Sequence, residues 1–222
     1  MRYSNESRRR LLGWLLCAAL PCAATALPAR AEGGPAELDV LLARLANVPG
    51  VSAHFREEKK LALLTLPLVS EGELAFTRPP TLVRRVTLPE PSSMLLREGR
   101  LETWDASGKR TLDLSAYPGA RILAESFLQV LAGNRAELAR NYDMRMSGSL
   151  KAGWALTLTP RVKALAQLVR ELSVEGTDLT LKSLRIIEAS GDVSTTQFSA
   201  VDTQRRFSAE ERRTIFSLPG GE

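Results

Sequence analysis

One histidine, His54, and two cysteines, Cys17 and Cys22, are all the imidazole and thiol chemistry in the 222-residue chain. A single imidazole cannot build a multi-histidine metal site. Both cysteines fall in an N-terminal stretch that reads as a removable leader, so the remainder has no thiol nucleophile and no disulfide. Serines are plentiful, yet none sits in a glycine-flanked nucleophile elbow. Neither a phosphate-cradling loop nor a dinucleotide fingerprint occurs. The neighbouring acids Glu57-Glu58 and Glu210-Glu211 could form a two-carboxylate hydrolytic pair, but their charged surroundings read as solvated faces. His54 alternates against Val51, Ala53 and Phe55, which turns it outward. No catalytic residue, metal ligand or cofactor is expected. Two arginines stand out instead. Arg78 has the parity of Leu74 and Phe76, and Arg84 that of Leu82, Val86 and Leu88. A guanidinium on an apolar face needs partners. Arg78 either finds them across that face or snorkels to water at its strand end. Arg84 has the further option of being turned outward by a bulge.

The elements that carry these residues follow from periodicity. Residues 35–48 place Leu38, Leu41, Leu42 and Leu45 on one helical stripe, ended by Pro49-Gly50. Strands follow at 51–55, in the apolar run 61–66, at 72–78 before Pro79-Pro80, and at 82–88. A hairpin of 93–96 and 101–104 turns about Glu98-Gly99. Residues 120–132 carry Ile122, Leu123, Phe127, Val130 and Leu131 at helical spacing, with a further helical turn at 136–139. Strands resume at 142–146 and 154–159. Residues 163–172 read as a loop and then a strand. A pair at 179–189 and 193–201 turns about Gly191-Asp192, and 214–216 reads as a last edge strand. The fold class is α+β, mainly β: a long, strongly curved antiparallel sheet with helices gathered on one face. A cavity between sheet and helices is the natural binding site.

Residues 2–10 carry four arginines, 11–27 are apolar, and Ala29-Arg30-Ala31 offers small residues for cleavage. This is the layout of a secretory signal peptide over 1–31, cleaved after about Ala31, leaving one domain at 32–222. The alternative is a retained anchor, at the short end of spanning length and interrupted by Pro21. Residues 7–12 loosely match a twin-arginine signal, so the export route stays open. Five of the 30 Lys and Arg and one of the 25 Asp and Glu lie in the leader, so the mature chain is nearly neutral and bulk charge gives no case for nucleic-acid binding.

The segment from Phe55 through Lys59-Lys60-Leu61, Pro67-Leu68, residues 70–76, Arg78-Pro79, Pro89, Glu98-Gly99 and Trp104 resembles the periplasmic LolA family of lipoprotein carriers. The likeness continues at 154–160 and from Gly191-Asp192 to Phe198. The resemblance implies an incomplete antiparallel β-barrel with helices as a lid over an apolar cavity. It implies a monomer that takes acyl chains of a lipoprotein or lipid from an inner-membrane donor to an outer-membrane acceptor. The cavity would be lined by Phe55, Leu74, Phe76, Leu82, Val86, Leu95, Trp104, Trp154, Leu156 and Phe198. The lid would use Leu38, Leu42, Phe127, Val130 and Leu131. The arginine of the Arg-Pro step, here Arg78, would latch the lid, and Arg84 would be a second latch or meet an anionic headgroup. Aromatic residues are sparse after the Arg-Pro step, where the family often has them, so the cargo class stays open. Other chains of this superfamily act as lipoprotein-sensing or protein-binding domains, which is the alternative function; a periplasmic hydrolase is a third.

Overall fold

Period-two alternation along most of the chain produces eleven strands, which a computed structural model describing residues 34–219 pairs into one antiparallel sheet. The leader at 1–31 lies outside the described residues. Helix α1 is Pro35–Ala46. Strands β1 Gly50–Lys60, β2 Leu68–Thr77, β3 Thr81–Leu88, β4 Ser92–Arg97, β5 Arg100–Asp105 and β6 Gly108–Asp113 follow as a meander. Helices α2 Pro118–Ala132 and α3 Arg135–Asn141 interrupt the sheet. Then come β7 Tyr142–Ser149, β8 Gly153–Pro160, helix α4 Lys163–Ala166, β9 Val169–Thr177, β10 Thr180–Glu188, β11 Val193–Asp202 and helix α5 Ala209–Ile215. The spatial order is β6-β5-β4-β3-β2-β1-β11-β10-β9-β8-β7. The two meanders therefore join where β1 meets β11, with Phe55 opposite Phe198. Strands β6 and β7 are the open edges, so the barrel is incomplete.

Each face of the sheet carries a buried apolar cluster. On the inner face, Leu38, Leu41, Leu42 and Leu45 of α1 and Phe127, Val130 and Leu131 of α2 share one core with Phe55, Leu74, Phe76, Leu82, Leu96, Trp154 and Leu156. On the outer face, Phe207, Phe216 and Leu218 around α5 pack on Ala75, Val83 and Leu95. Arg85 fixes α5 there by donating to the carbonyls of Thr214, Ile215 and Ser217 at its C-terminal end (3.0, 2.8 and 3.0 Å). This placement suits the partial negative charge of a helix C-terminus.

Four elements differ from the sequence reading, two of them by addition: helix α4 opens the segment read as a loop at 163, and β6 is a strand that the periodicity did not mark. Residues 61–66 are not a strand but the tip of the β1–β2 hairpin, with Leu63 97% exposed. Residues 214–216 do not form an edge strand, because Ser208 and Glu211 make a capping box that starts α5. A register shift at Glu71/Gly72 also turns Leu88 out of line with Leu82 and Val86.

Helices α1 and α2 meet at a glycine. Gly133 ends α2 with φ 65°, and a Cβ there would lie 2.2 Å from the Leu42 carbonyl oxygen and 2.4 Å from the Ala46 nitrogen. Both the left-handed backbone and the helix contact require glycine. Gly133→Ala should therefore lower stability by roughly 2–3 kcal/mol, a drop of about 4–12 °C in melting temperature by calorimetry. An unchanged melting temperature would mean that α1 and α2 are not held at this spacing.

Candidate functional site

The inner face is apolar where the helices cover it and polar beyond them. Leu74, Phe76 and Leu82 are buried beneath the helices, as are Trp154 and Leu156 on the other arm of the sheet. Val86 and Phe198 pack against the same core, and the Phe198 ring stacks on Phe127 of α2 at 5.7 Å with an interplanar angle of 2°. Leu95 and Trp104, expected on the cavity wall, belong instead to the opposite face, beneath α5. Register gives the reason. Arg84 opposes Met94 and Leu82 opposes Leu96, so Met94 and Leu96 share the inner face while Leu95 points outward. Trp104 lies opposite Ser93, which shares the outward parity of Leu95.

Arg78 sits where α1 and α2 meet the sheet. Its Nε donates to the Val48 carbonyl at 2.8 Å, and one terminal nitrogen donates to those of Leu45 and Ala132, each at 3.1 Å. The first two lie at the end of α1 and the third at the end of α2. One guanidinium thus bonds carbonyls at the negative ends of two helices. Burial pulls the Arg78 pKa below its usual value. Its strand end does not turn the side chain out to solvent; Phe76 lies beneath it, 5.5 Å from ring centroid to guanidinium carbon.

Arg84 stays on the inner face and finds its partners within the sheet. It lies 4.2 Å over the Phe55 ring, 3.5 Å from a Glu57 carboxylate oxygen and 3.3 Å from the Ser70 hydroxyl. Desolvation lowers its pKa, and the Glu57 charge opposes that shift. Thr196 donates to the other Glu57 oxygen at 3.0 Å, and Lys59 reaches Glu188 at 2.8 Å. These residues form a polar band next to the apolar core. Glu57, read as solvated, is only 26% exposed. Its parity with Phe55 was the available signal. Glu58 does face outward, beside Arg56.

His54 is exposed on the outer face, 4.0 Å from Glu73. A groove of about 250 Å³ there runs beside α5, lined among others by His54, Glu73, Arg85, Arg205 and Ile215. The space between α1, α2 and the sheet is filled by their own side chains, with Leu41, Val130 and Leu131 at 0% exposure. Tyr142 is buried at the far end, where its hydroxyl bonds Ser126 of α2 and burial raises its pKa. Among the described residues, hydrogen bonds lower the pKa of five carboxylates: to Lys109 at Glu102, Ser107 at Asp105, Ser115 at Asp113, Arg44 at Asp178 and Ser208 at Glu211. None has the raised pKa of a general acid. Among the described residues no three His, Cys, Asp or Glu side chains cluster as metal ligands, and no helix is long and apolar enough to cross a membrane.

Residues 30–214 match the family model described as outer membrane lipoprotein carrier protein LolA-like. No curated protein matches the sequence. Among solved structures, a LolA superfamily protein from Nitrosomonas europaea is similar over 82% of this chain and 98% of its own, at 11% identity and a TM-score of 0.45. A Vibrio parahaemolyticus domain described as outer membrane lipoprotein-sorting is similar over 81% of this chain and 97% of its own, at 8% identity and a TM-score of 0.47. MucB solved in complex with MucA is similar over 84% of this chain and 60% of its own, at 14% identity and a TM-score of 0.46.

Proposed function

The chain belongs to the LolA-like family of outer membrane lipoprotein carrier proteins, and from that membership we propose that its single domain at 32–222, released from a signal peptide at 1–31, is a periplasmic carrier for acyl chains. The cargo is an acylated lipoprotein or another lipid. The carrier receives it from an inner-membrane donor, works as a monomer and passes it towards an outer-membrane acceptor, with no covalent chemistry.

The observation that carries this reading is the Arg78 fork on the ends of α1 and α2. The apolar inner face is covered in this closed arrangement. Acyl chains reach it only when the two helices swing away, and breaking the Arg78 bonds is the first cost of that motion. Cargo then supplies the compensation, at roughly 0.8 kcal/mol for each buried CH₂. Phe55, Leu74, Phe76, Leu82, Val86, Trp154, Leu156 and Phe198 would form the exposed wall. Leu38, Leu42, Phe127, Val130 and Leu131 would lift with the lid, and Arg84 would meet the polar end of the cargo. Native mass spectrometry of the protein released from its host, followed by lipid extraction, tests the proposal. A co-purifying acylated molecule, and saturable uptake of a fluorescent fatty acid, are the expected results. A clean apo mass with no uptake would overturn it.

One observation favours a second reading. A filled inner face is what a lipoprotein-sensing or protein-binding domain of this fold would have. That reading predicts no uptake of the fatty acid even when Arg78 is replaced.

A further inference from the structure

Among the described residues, most of the exposed large apolar side chains gather at one end of the sheet, while Val40, Leu112 and Tyr117 are exposed singly elsewhere. Leu63, Leu64, Leu66 and Leu68 are 97, 50, 77 and 52% exposed and occupy the β1–β2 hairpin tip and its descending strand. Leu88 (57%) ends β3, which pairs beside the base of that hairpin, with Glu71 opposite Leu88. Leu168 (40%) begins the approach to β9, and its carbonyl accepts from Ala189 at the end of β10. Antiparallel pairing puts all of these at one end of the sheet. The opposite end has polar connections at Arg78, Glu98-Gly99 and Asp178, with Leu112 and Tyr117 as isolated exposed apolar side chains near it.

From this we infer that the leucine end docks on a lipid bilayer surface, with the β1–β2 tip entering the interface. Residues 61–69 carry no charge. The tip is prepared for dehydration, because the Leu64 N–H bonds the Leu61 carbonyl at 3.0 Å and the Ala62 N–H bonds Asp192 at 2.8 Å. Basic residues stand behind it at Lys60, Lys163 and Arg170, where lipid phosphates would lie. Acids on the same rim are engaged, Glu188 by Lys59 and Asp192 by the tip itself, while Glu90 stands exposed beside Leu88. A tip of exposed leucines, with cations behind it, suits a fluid surface better than a shaped protein pocket. The inference stands apart from the carrier reading, since it concerns an end of the sheet and not its inner face.

The test is flotation of detergent-free protein with vesicles of phosphatidylethanolamine and phosphatidylglycerol, alongside Leu63→Ser/Leu66→Ser and Lys60→Gln variants. Because both leucines are solvent-exposed, the double variant should keep its melting temperature and its fatty-acid uptake. Its vesicle partitioning should fall at least about tenfold. Lys60→Gln should reduce partitioning two- to threefold, and only when phosphatidylglycerol is present. Wild-type protein that fails to float, or a double variant that floats equally well, would overturn the inference. So would loss of self-association in sedimentation without loss of flotation, which would assign the leucines to a second copy. Failure of fatty-acid uptake with flotation intact would remove the carrier reading alone.

Discussion

Arg78→Leu should bind a fluorescent fatty acid more tightly than the wild type while melting at a lower temperature. The substitution removes three charge-assisted hydrogen bonds between the sheet and the ends of α1 and α2. Each is worth about 1–2 kcal/mol net at a half-buried site, and some are replaced by water, so the closed arrangement loses roughly 3 kcal/mol. Binding to an open form is weakened by the rarity of that form. A loss of that size raises its population by up to about a hundredfold, and affinity rises with it until the lid is mostly open. Arg78→Lys should fall between the two proteins, because an ammonium cannot fork between two helix ends. Faster amide exchange in α1 and α2, with β7–β9 unchanged, would separate lid release from general destabilisation. Lower melting with unchanged affinity would reduce Arg78 to a structural brace, and the latch would be lost from the mechanism.

What the sequence disclosed, and what it withheld, trace to particular residues. The parity of Arg78 with Leu74 and Phe76 marked it as a guanidinium in need of partners, and the carbonyls it finds come from segments 30 and 54 positions away. No local pattern could name them. The stripe of Leu38, Leu41, Leu42 and Leu45 was legible because α1 buries one face only. The hairpin through Glu98-Gly99 was legible because that turn needs positive φ, here 49° and 73°. Leu95 and Leu96 were not separable, since both are apolar and both are buried, one on each face. Deciding between them required knowing that the outer face is also covered. That in turn required reading Ser208 and Glu211 as the start of α5 instead of reading Ile215 and Phe216 as a strand. The capping pattern was in the sequence, so missing one short helix displaced both Leu95 and Trp104. The run at 61–66 failed for a different reason: apolar composition signals burial only when something covers it, and nothing in the described structure covers Leu63.

Glu57→Gln should cost more stability than replacing Glu57 and Arg84 together. Arg84 and Glu57 are 25% and 26% exposed, 3.5 Å apart, on a face that continues into the apolar core. Losing the carboxylate charge leaves a guanidinium with the Ser70 hydroxyl and the Phe55 ring as its neighbours. Breaking a fully buried pair costs about 3–5 kcal/mol, and residual solvent reduces this to about 2 here. By calorimetry that is a drop of about 4–8 °C. In the double variant Glu57→Gln/Arg84→Met no charge is stranded, the Thr196 hydroxyl keeps an acceptor, and methionine can follow the arginine stem over Phe55. Most of the loss should therefore be recovered, with a coupling of at least about 1 kcal/mol in the double-mutant cycle. The same variant distinguishes the two roles left to Arg84. If it meets the charged end of cargo, wild-type protein should prefer a fatty acid to its methyl ester, and the double variant should lose that preference. Equal affinities in the wild type would confine Arg84 to bracing the sheet, since its bonds run to β1 and β2 and not to the lid helices. In that case the discrimination between open and closed states falls to Arg78 alone among these two arginines.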